Sequence, residues 1–398
     1  MPELVRALLA GMAGLAIVWL GIFGGLAFVP KQAHERQQLQ FESPFGAWDG
    51  IEYAQIAETG YEFDPHERST VVFFPGYPLL GRWLGRVFGL PVRWVLPVLS
   101  QLLFVGCVCL FWSEVRDRSV TDREAECCVW LLIVWPAGVF FRMAYSESLF
   151  LLLVLLSMRG MRRGWPKSSV AFLVGCATGV RSVGIGLAIV YWVHRWWFVP
   201  GRDRPRGTLR IVWAVPEVAL SCWGFIGFLI FQEVAFGTPT AFIAAQSHWR
   251  NRGSPPLLEQ FEILLSLEPI WSVYDSSSLA YWKNHELVSS PLLSLQFLNP
   301  LVFLLTCVLV YIGWKRSWLT REEGLLSCLL LAIPYVTHSY QGCMYSMARY
   351  CSVVYPAYIV PGIWLSRCRW GWRVGVLSLC ALLLCVYAAL FANWYRIF

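Results

Sequence analysis

Apolar residues run on, again and again, for about the length needed to cross a bilayer. A spanning helix needs roughly 20 mainly apolar residues. Residues 4–29 form one such run, interrupted only by Arg6 near its start. It is too long for a signal-peptide core and lacks a small-residue cleavage site after it, so it reads as a first membrane helix that is kept. Further runs predict spans at 90–112, 127–143, 148–158, 169–180, 183–197, 211–236, 292–314, 324–337, 350–365 and 374–394. Those at 148–158 and 169–180 are short, and read as tilted pieces that borrow flanking residues. The chain thus reads as a single polytopic, all-α integral membrane domain over 1–398, with about eleven transmembrane helices and a range of nine to thirteen.

Composition agrees. Only 14% of the residues are charged and 57% are hydrophobic, against about 25% charged in a soluble domain. A disordered chain, a disulfide scaffold and an ordinary soluble enzyme are excluded. The net charge of +7 is not gathered on a soluble basic domain, so nucleic acid is not an expected partner. The 13 cysteines show no CxxC pair and read as inert lipid- or core-facing thiols.

The polar loops are asymmetric. Those on one side carry Arg159, Arg162, Arg163 and Lys167; Arg195, Arg202, Arg204, Arg206 and Arg210; Lys315, Arg316 and Arg321; Arg367, Arg369 and Arg373. Those on the other side are long but poor in Lys and Arg. The positive-inside rule places the N-terminus in the cytoplasm and the long loops outside. The first extracytoplasmic loop and its interfacial helix occupy 30–89, and a second large one occupies 237–291. Within the first loop, 71–88 carries Pro75, Pro78, Arg82 and Arg86, which suits a short re-entrant or interfacial amphipathic helix.

Four polar corners from distant parts of the chain meet that outer face. In the first, Asp49 follows Trp48 and precedes Ile51, Tyr53, Ile56 and Ala57 at helical spacing. A carboxylate held among aromatics at a membrane face is poorly solvated and suits a general base; the same Asp is also a favoured helix N-cap. In the second, Tyr145-Ser146-Glu147-Ser148 puts an acid at the edge of the bundle. That costs about 2.5–3.5 kcal/mol on insertion scales, which marks a functional candidate, although Ser146 or Glu147 could instead cap the next helix. The third and fourth are Arg181 and Arg349, each fitted to hold a phosphate by two points or to snorkel to headgroups. No HExxH, GxSxG or P-loop pattern occurs, so zinc proteolysis and nucleotide-driven chemistry are not expected.

The pattern Trp48-Asp49, Tyr53, Ile56-Ala57, Gly60-Tyr61, Phe73-Phe74-Pro75 and Tyr77-Pro78-Leu79 resembles the first outside loop of the GPI mannosyltransferase II (PIG-V) family. Tyr145 to Phe150, Arg181-Ser182 with Gly184, and Phe236-Gly237-Thr238-Pro239 with Phe242, Ala245-Gln246 and Trp249 follow in the family's order. Arg349-Tyr350 and Phe391 to Trp394 complete a likeness that covers nearly the whole chain.

That resemblance implies a polyprenyl-phosphate-sugar-dependent glycosyltransferase of the GT-C superfamily. It implies a polyprenyl-phosphate donor, most often of mannose, inversion at the anomeric carbon, and Asp49 as the catalytic acid-loop residue. The acceptor is a lipid or glycan hydroxyl. Arg181 and Arg349 are the expected charge stabilisers, and Trp48, Glu52, Tyr53, Tyr77, Tyr145, Glu147 and Gln246 the further substrate-binding candidates. No cofactor is required, and a divalent cation is compatible with the chemistry. Glu52 departs from the family, where an aromatic or His is commoner, and the long arms of eukaryotic members are missing. A bacterial-type member of the inner membrane with a periplasmic site is expected, the alternative being the endoplasmic reticulum with a luminal site. The rival reading is a secondary transporter or lipid flippase, but the charged corners gather at one face rather than at the midplane. An acyltransferase would need a catalytic His, for which only His338 is at hand.

Overall fold

The computed structural model describes residues 3–32, 43–118, 121–198, 209–249, 255–285, 290–339 and 343–395. Glu35, Arg36 and Glu42 of the first loop, and Arg202, Arg204 and Arg206 of the basic loops, lie outside the described residues. Among the described residues the regular structure is helical. In chain order it comprises α1 (Glu3–Phe28), α2 (Asp49–Glu58), α3 (Gly76–Phe88), α4 (Val92–Arg116), α5 (Asp122–Val134), α6 (Glu147–Arg163), α7 (Lys167–Val180), α8 (Gly184–Val193) and α9 (Leu209–Ser221). Then follow α10 (Trp223–Phe236), α11 (Ala241–Gln246), α12 (Leu257–Leu265), α13 (Glu268–Trp271), α14 (Leu295–Lys315), α15 (Arg321–Pro334), α16 (Met347–Ser352), α17 (Ile359–Arg367) and α18 (Trp370–Ala392).

Four of these helices, α1, α4, α14 and α18, are long and apolar enough to cross a membrane. The number is up to six if each of two bent pairs is one span. The protein is therefore a multi-pass membrane protein, and most of the other apolar runs are shorter or broken helices rather than single rods. The run 127–143 breaks after Val134, where α5 meets a 3-10 segment, Pro136–Arg142, at 73°. Pro136 has no N–H to continue the helix. The carbonyls left open are met by Arg142, which is fully buried and donates to Ile133 O at 2.5 Å and Gly138 O at 3.0 Å. Its guanidinium also lies 4.0 Å from the Phe104 ring centroid. The run 211–236 bends by 77° at Cys222.

Small residues let the helices approach closely, as packing in lipid favours. A Cβ on Gly21 would come within 2.3 Å of Cys385 O, and one on Gly25 within 2.6 Å of Ala389 Cα. These two positions seat α1 on α18. Gly76 brings the start of α3 against the end of α7, where an added Cβ would meet Val180 Cγ2 at 2.7 Å.

Basic side chains gather at one end of the bundle. Arg159 pairs with Glu114 at 3.0 Å, Arg162 with Glu114 at 2.8 Å, and Arg118 with Glu323. Asp117 caps the end of α4, and the Arg163 hydrogen bond at 2.6 Å holds its carboxyl below the usual carboxylate range. This network ties α4, α6 and α15 together at the end opposite Asp49. The opposite end holds the short helices α2, α3, α11 and α16, and the site.

Candidate functional site

Asp49 reaches the site through a strained turn. Trp48 takes a positive φ (61, with ψ −122), which is uncommon for a non-glycine residue. It is Trp48, not Asp49, that occupies the N-cap position of α2; Asp49 is the first helical residue. Its carboxylate is therefore not committed to capping, and Oδ2 instead accepts from Arg349 Nη1 at 2.5 Å. The turn is held by Ala144 N–H donating to Phe45 O at 2.8 Å and Tyr145 O–H donating to Ala47 O at 3.2 Å. Trp48 packs its ring 5.8 Å from that of Trp394.

The far end of α2 is anchored as firmly. Arg82 of α3 donates to Ala57 O at 2.5 Å and Ile56 O at 2.8 Å, at carbonyls of the last turn. A cation there also suits the helix dipole. Between the two ends, Tyr53 is buried one turn beyond Asp49, with its hydroxyl 3.0 Å from Ser146 Oγ. Burial pushes the Tyr53 phenol up to about 12, with the Arg349 charge opposing, so it stays a neutral hydroxyl at physiological pH. Tyr77 meets Tyr53 edge to face at 5.1 Å and donates to Leu96 O at 2.8 Å. Its hydroxyl lies 2.7 Å from Ser100 Oγ, which in turn donates to Tyr145 O at 3.0 Å.

Glu147 opens α6 and is 0% exposed. One of its oxygens, Oε1, accepts from both Arg181 and Arg349. The N-terminus of α6 adds a favourable dipole for this carboxylate. Oε2 has no hydrogen-bond partner among the described residues. Arg181 ends α7 in an extended conformation, also contacts Ser146 Oγ at 3.4 Å, and lies over the Tyr350 ring at 5.2 Å. Arg349 comes from α16, lies over the Tyr145 ring at 4.5 Å, and is buried. Its helix is pinned by Ala348 N–H donating to Asn299 Oδ1 at 2.9 Å. Both arginines are thus buried and ion-paired, not snorkelling.

Two guanidiniums and two carboxylates make a cluster of balanced charge. Its members differ in access: Glu147 is sealed, while the Asp49 side chain keeps 21% of its surface open. The Asp49 carboxylate is thus partly open to the surface, whereas Glu147 is enclosed against the two cations. Glu52 is buried on the same helix one turn on. Gln246 closes α11, which packs on the 3-10 turn Thr70–Val72. Its segment leads to the cluster through ring contacts, Trp249 to Phe73 at 5.4 Å and Phe73 to Tyr53 at 5.2 Å. Sequence reasoning did not single out Asn299 or Ser100. They are ordinary residues within apolar runs, and only the fold brings them to the cluster. Among the described residues no group of three or more His, Cys, Asp or Glu side chains could hold a metal ion.

A bundle of apolar helices with a buried pair of arginines and carboxylates at one end defines a polytopic membrane protein with an ionic site at its face. The chain belongs to the mannosyltransferase (PIG-V) family, whose model matches residues 27–240, more than half of its length. That stretch holds Asp49, Glu147 and Arg181 but not Arg349, which joins them only in the fold. The chain is similar to the GPI alpha-1,6-mannosyltransferase 2 of Mus musculus, 32% identical over 148 residues, or 35% of this chain and 29% of the relative. For the Homo sapiens protein of the same name the values are 33% over 149 residues, 35% and 29%. The matched stretch thus covers less than a third of these relatives.

Proposed function

We propose that the protein is a membrane glycosyltransferase that moves a sugar, most simply mannose, from a polyprenyl-phosphate donor to a hydroxyl acceptor on a lipid or glycan. The family supports mannosyl transfer; the polyprenyl-phosphate donor and hydroxyl acceptor are what the resemblance implies, and two buried arginines suit a phosphate. The observation that carries the reading is the Asp49–Arg349 pair, a partly open carboxylate on a buried cation. In the proposed step the acceptor oxygen attacks the anomeric carbon from the face opposite the phosphate. The carbon–oxygen bond to phosphate breaks, its electron pair leaves with the phosphate, and the acceptor proton passes to Asp49. Configuration inverts. Arg349 and Arg181 offset the charge that grows on the leaving phosphate, and Glu147 keeps both guanidiniums in place.

The proposal carries a topology. About eleven membrane segments in a GT-C-like arrangement form one polytopic domain, with 30–89 and 237–291 as extracytoplasmic loops. The basic network at the end opposite Asp49 supports placing that end in the cytoplasm. The site then faces the periplasm of a bacterial inner membrane, or the lumen if the membrane is that of the endoplasmic reticulum. No cofactor enters the proposed step, and added divalent cation is a variable of the assay.

The test is release of polyprenyl phosphate from labelled polyprenyl-phosphate mannose by the purified protein in lipid nanodiscs, with and without lipid-linked acceptors. Release that depends on Asp49 is expected. Movement of the intact donor across the bilayer without cleavage would instead make the protein a flippase.

A further inference from the structure

The helix α12 has an unusual surface. None of its nine residues is buried, and Leu257, Leu258, Phe261 and Leu265 are 61–81% exposed. At about 100° per residue these four fall in one sector of the helix. Glu259 and Glu262, also exposed, fall in a second sector, and Gln260, Ile263 and Leu264, half-buried, in a third. The helix therefore shows one face to the protein, one acidic face, and one apolar face that none of the described residues covers.

Its place in the fold identifies what covers that face. Tyr335 O–H donates to Leu264 O at 2.9 Å. The Tyr335 ring stacks on Phe303 at 5.4 Å and 12°. Phe303 belongs to α14, one of the helices long and apolar enough to cross a membrane, and lies about 12 Å along it at 1.5 Å per residue. Tyr335 itself follows directly on α15, whose Cys328 and Ala332, together with Val336 just beyond, are exposed in an outward stripe beside it. The α12 contact is therefore made beside the exposed apolar stripe at the outer end of α15. The bare sector of α12 continues that apolar surface, while its carboxylates point elsewhere.

We infer that α12 is an interfacial helix that lays Leu257, Leu258, Phe261 and Leu265 into the acyl region of the leaflet beside the outer end of α15, at the same end of the bundle as Asp49. It carries no Lys or Arg, so its hold on the membrane comes from apolar burial rather than from attraction to anionic headgroups. It would tie the chain between α11 and α14 to the bilayer surface next to the site.

The test uses the full chain in phosphatidylcholine nanodiscs, with an environment-sensitive fluorescent amino acid encoded at position 258 and, in a second protein, at position 259. Lipids brominated near the top of the acyl chain should quench the probe at 258 strongly, and aqueous iodide should leave it nearly untouched. The probe at 259 should show the reverse, and high salt should change neither. Should a probe at 258 disturb the helix, as circular dichroism would reveal, position 261 provides the same reading. Iodide quenching at 258 or 261 equal to that at 259 would overturn the inference. So would protection from both quenchers, which would mean that a second copy or another protein covers the face.

Discussion

Arg349 and Asp49 stand 300 positions apart in the chain, yet their side chains meet at 2.5 Å. The contact depends on two separately held turns, one forced by Trp48 and one seated on Asn299. Glu147 grips the same guanidinium from the other side. The pair is thus held by the fold on both flanks, and its two partners respond differently to substitution.

Asp49→Asn keeps the size of the side chain and an acceptor oxygen for Arg349, but cannot take a proton. Donor turnover by the purified variant is expected to fall about 10²–10⁴-fold. Glu52→Gln, one helical turn away, should keep substantial turnover. Near-normal release by Asp49→Asn would overturn the proposed base.

Removal of the cation is a question of stability. Arg349→Ala leaves Glu147 sealed with one partner fewer and Asp49 with none. Breaking a buried pair by deleting one partner costs about 3–5 kcal/mol. Thermal unfolding in nanodiscs should show this loss for Arg349→Ala and only a small one for Asp49→Asn. Equal losses would mean that the ion pair contributes little to the fold.

Arg181→Lys retains the charge but not the planar fork that shares Glu147, Ser146 and the Tyr350 face. Binding of a polyprenyl-phosphate analogue should weaken while membrane insertion and folding stay intact. Unchanged affinity, measured by titration with the analogue, would remove Arg181 from the donor site.

The four ionic residues were legible in the sequence because a charge beside an apolar run needs a reason, and few such charges are present. The helical character was legible for the same cause, the length of the runs. The breaks were not. Pro136 hints at one, but the bend at Cys222 has no residue signature, since it follows from α10 packing Gly224 onto Gly175 and Gly179. Nor could periodicity foresee α12. Its apolar face reads like that of any packed helix, and only the fold shows that none of the described residues lies against it.

Arg142 offers a further check, on the broken span. Its guanidinium closes carbonyls that the break leaves open, with no acidic partner in the contact. Arg142→Met fills the space but leaves those acceptors unmet, at about 1–3 kcal/mol. Chemical denaturation in mild detergent should register the loss. An unchanged midpoint would mean that water or another donor serves these carbonyls.

Sidedness has its own measurement. Cys introduced in place of the exposed His66 should react with an impermeant thiol reagent in intact cells, and Cys in place of Gly164 should not, once the exposed Cys328 and Cys368 are removed. Reversed labelling would turn the proposed topology over.

The seat of α1 on α18 has a consequence for how the molecule is made. The glycine face of α1 and the ring of Trp48 both find their partners in residues near 385–394. A ribosome adding 5–20 residues per second reaches that segment roughly 20–70 s after it has passed Trp48. Throughout that interval the turn that presents Asp49 lacks one of its supports. The Asp49 corner is thus among the earliest parts of the chain to be synthesised and among the last to be finished, and a stop codon ahead of α18 would yield a membrane protein whose α1 has a bare glycine face.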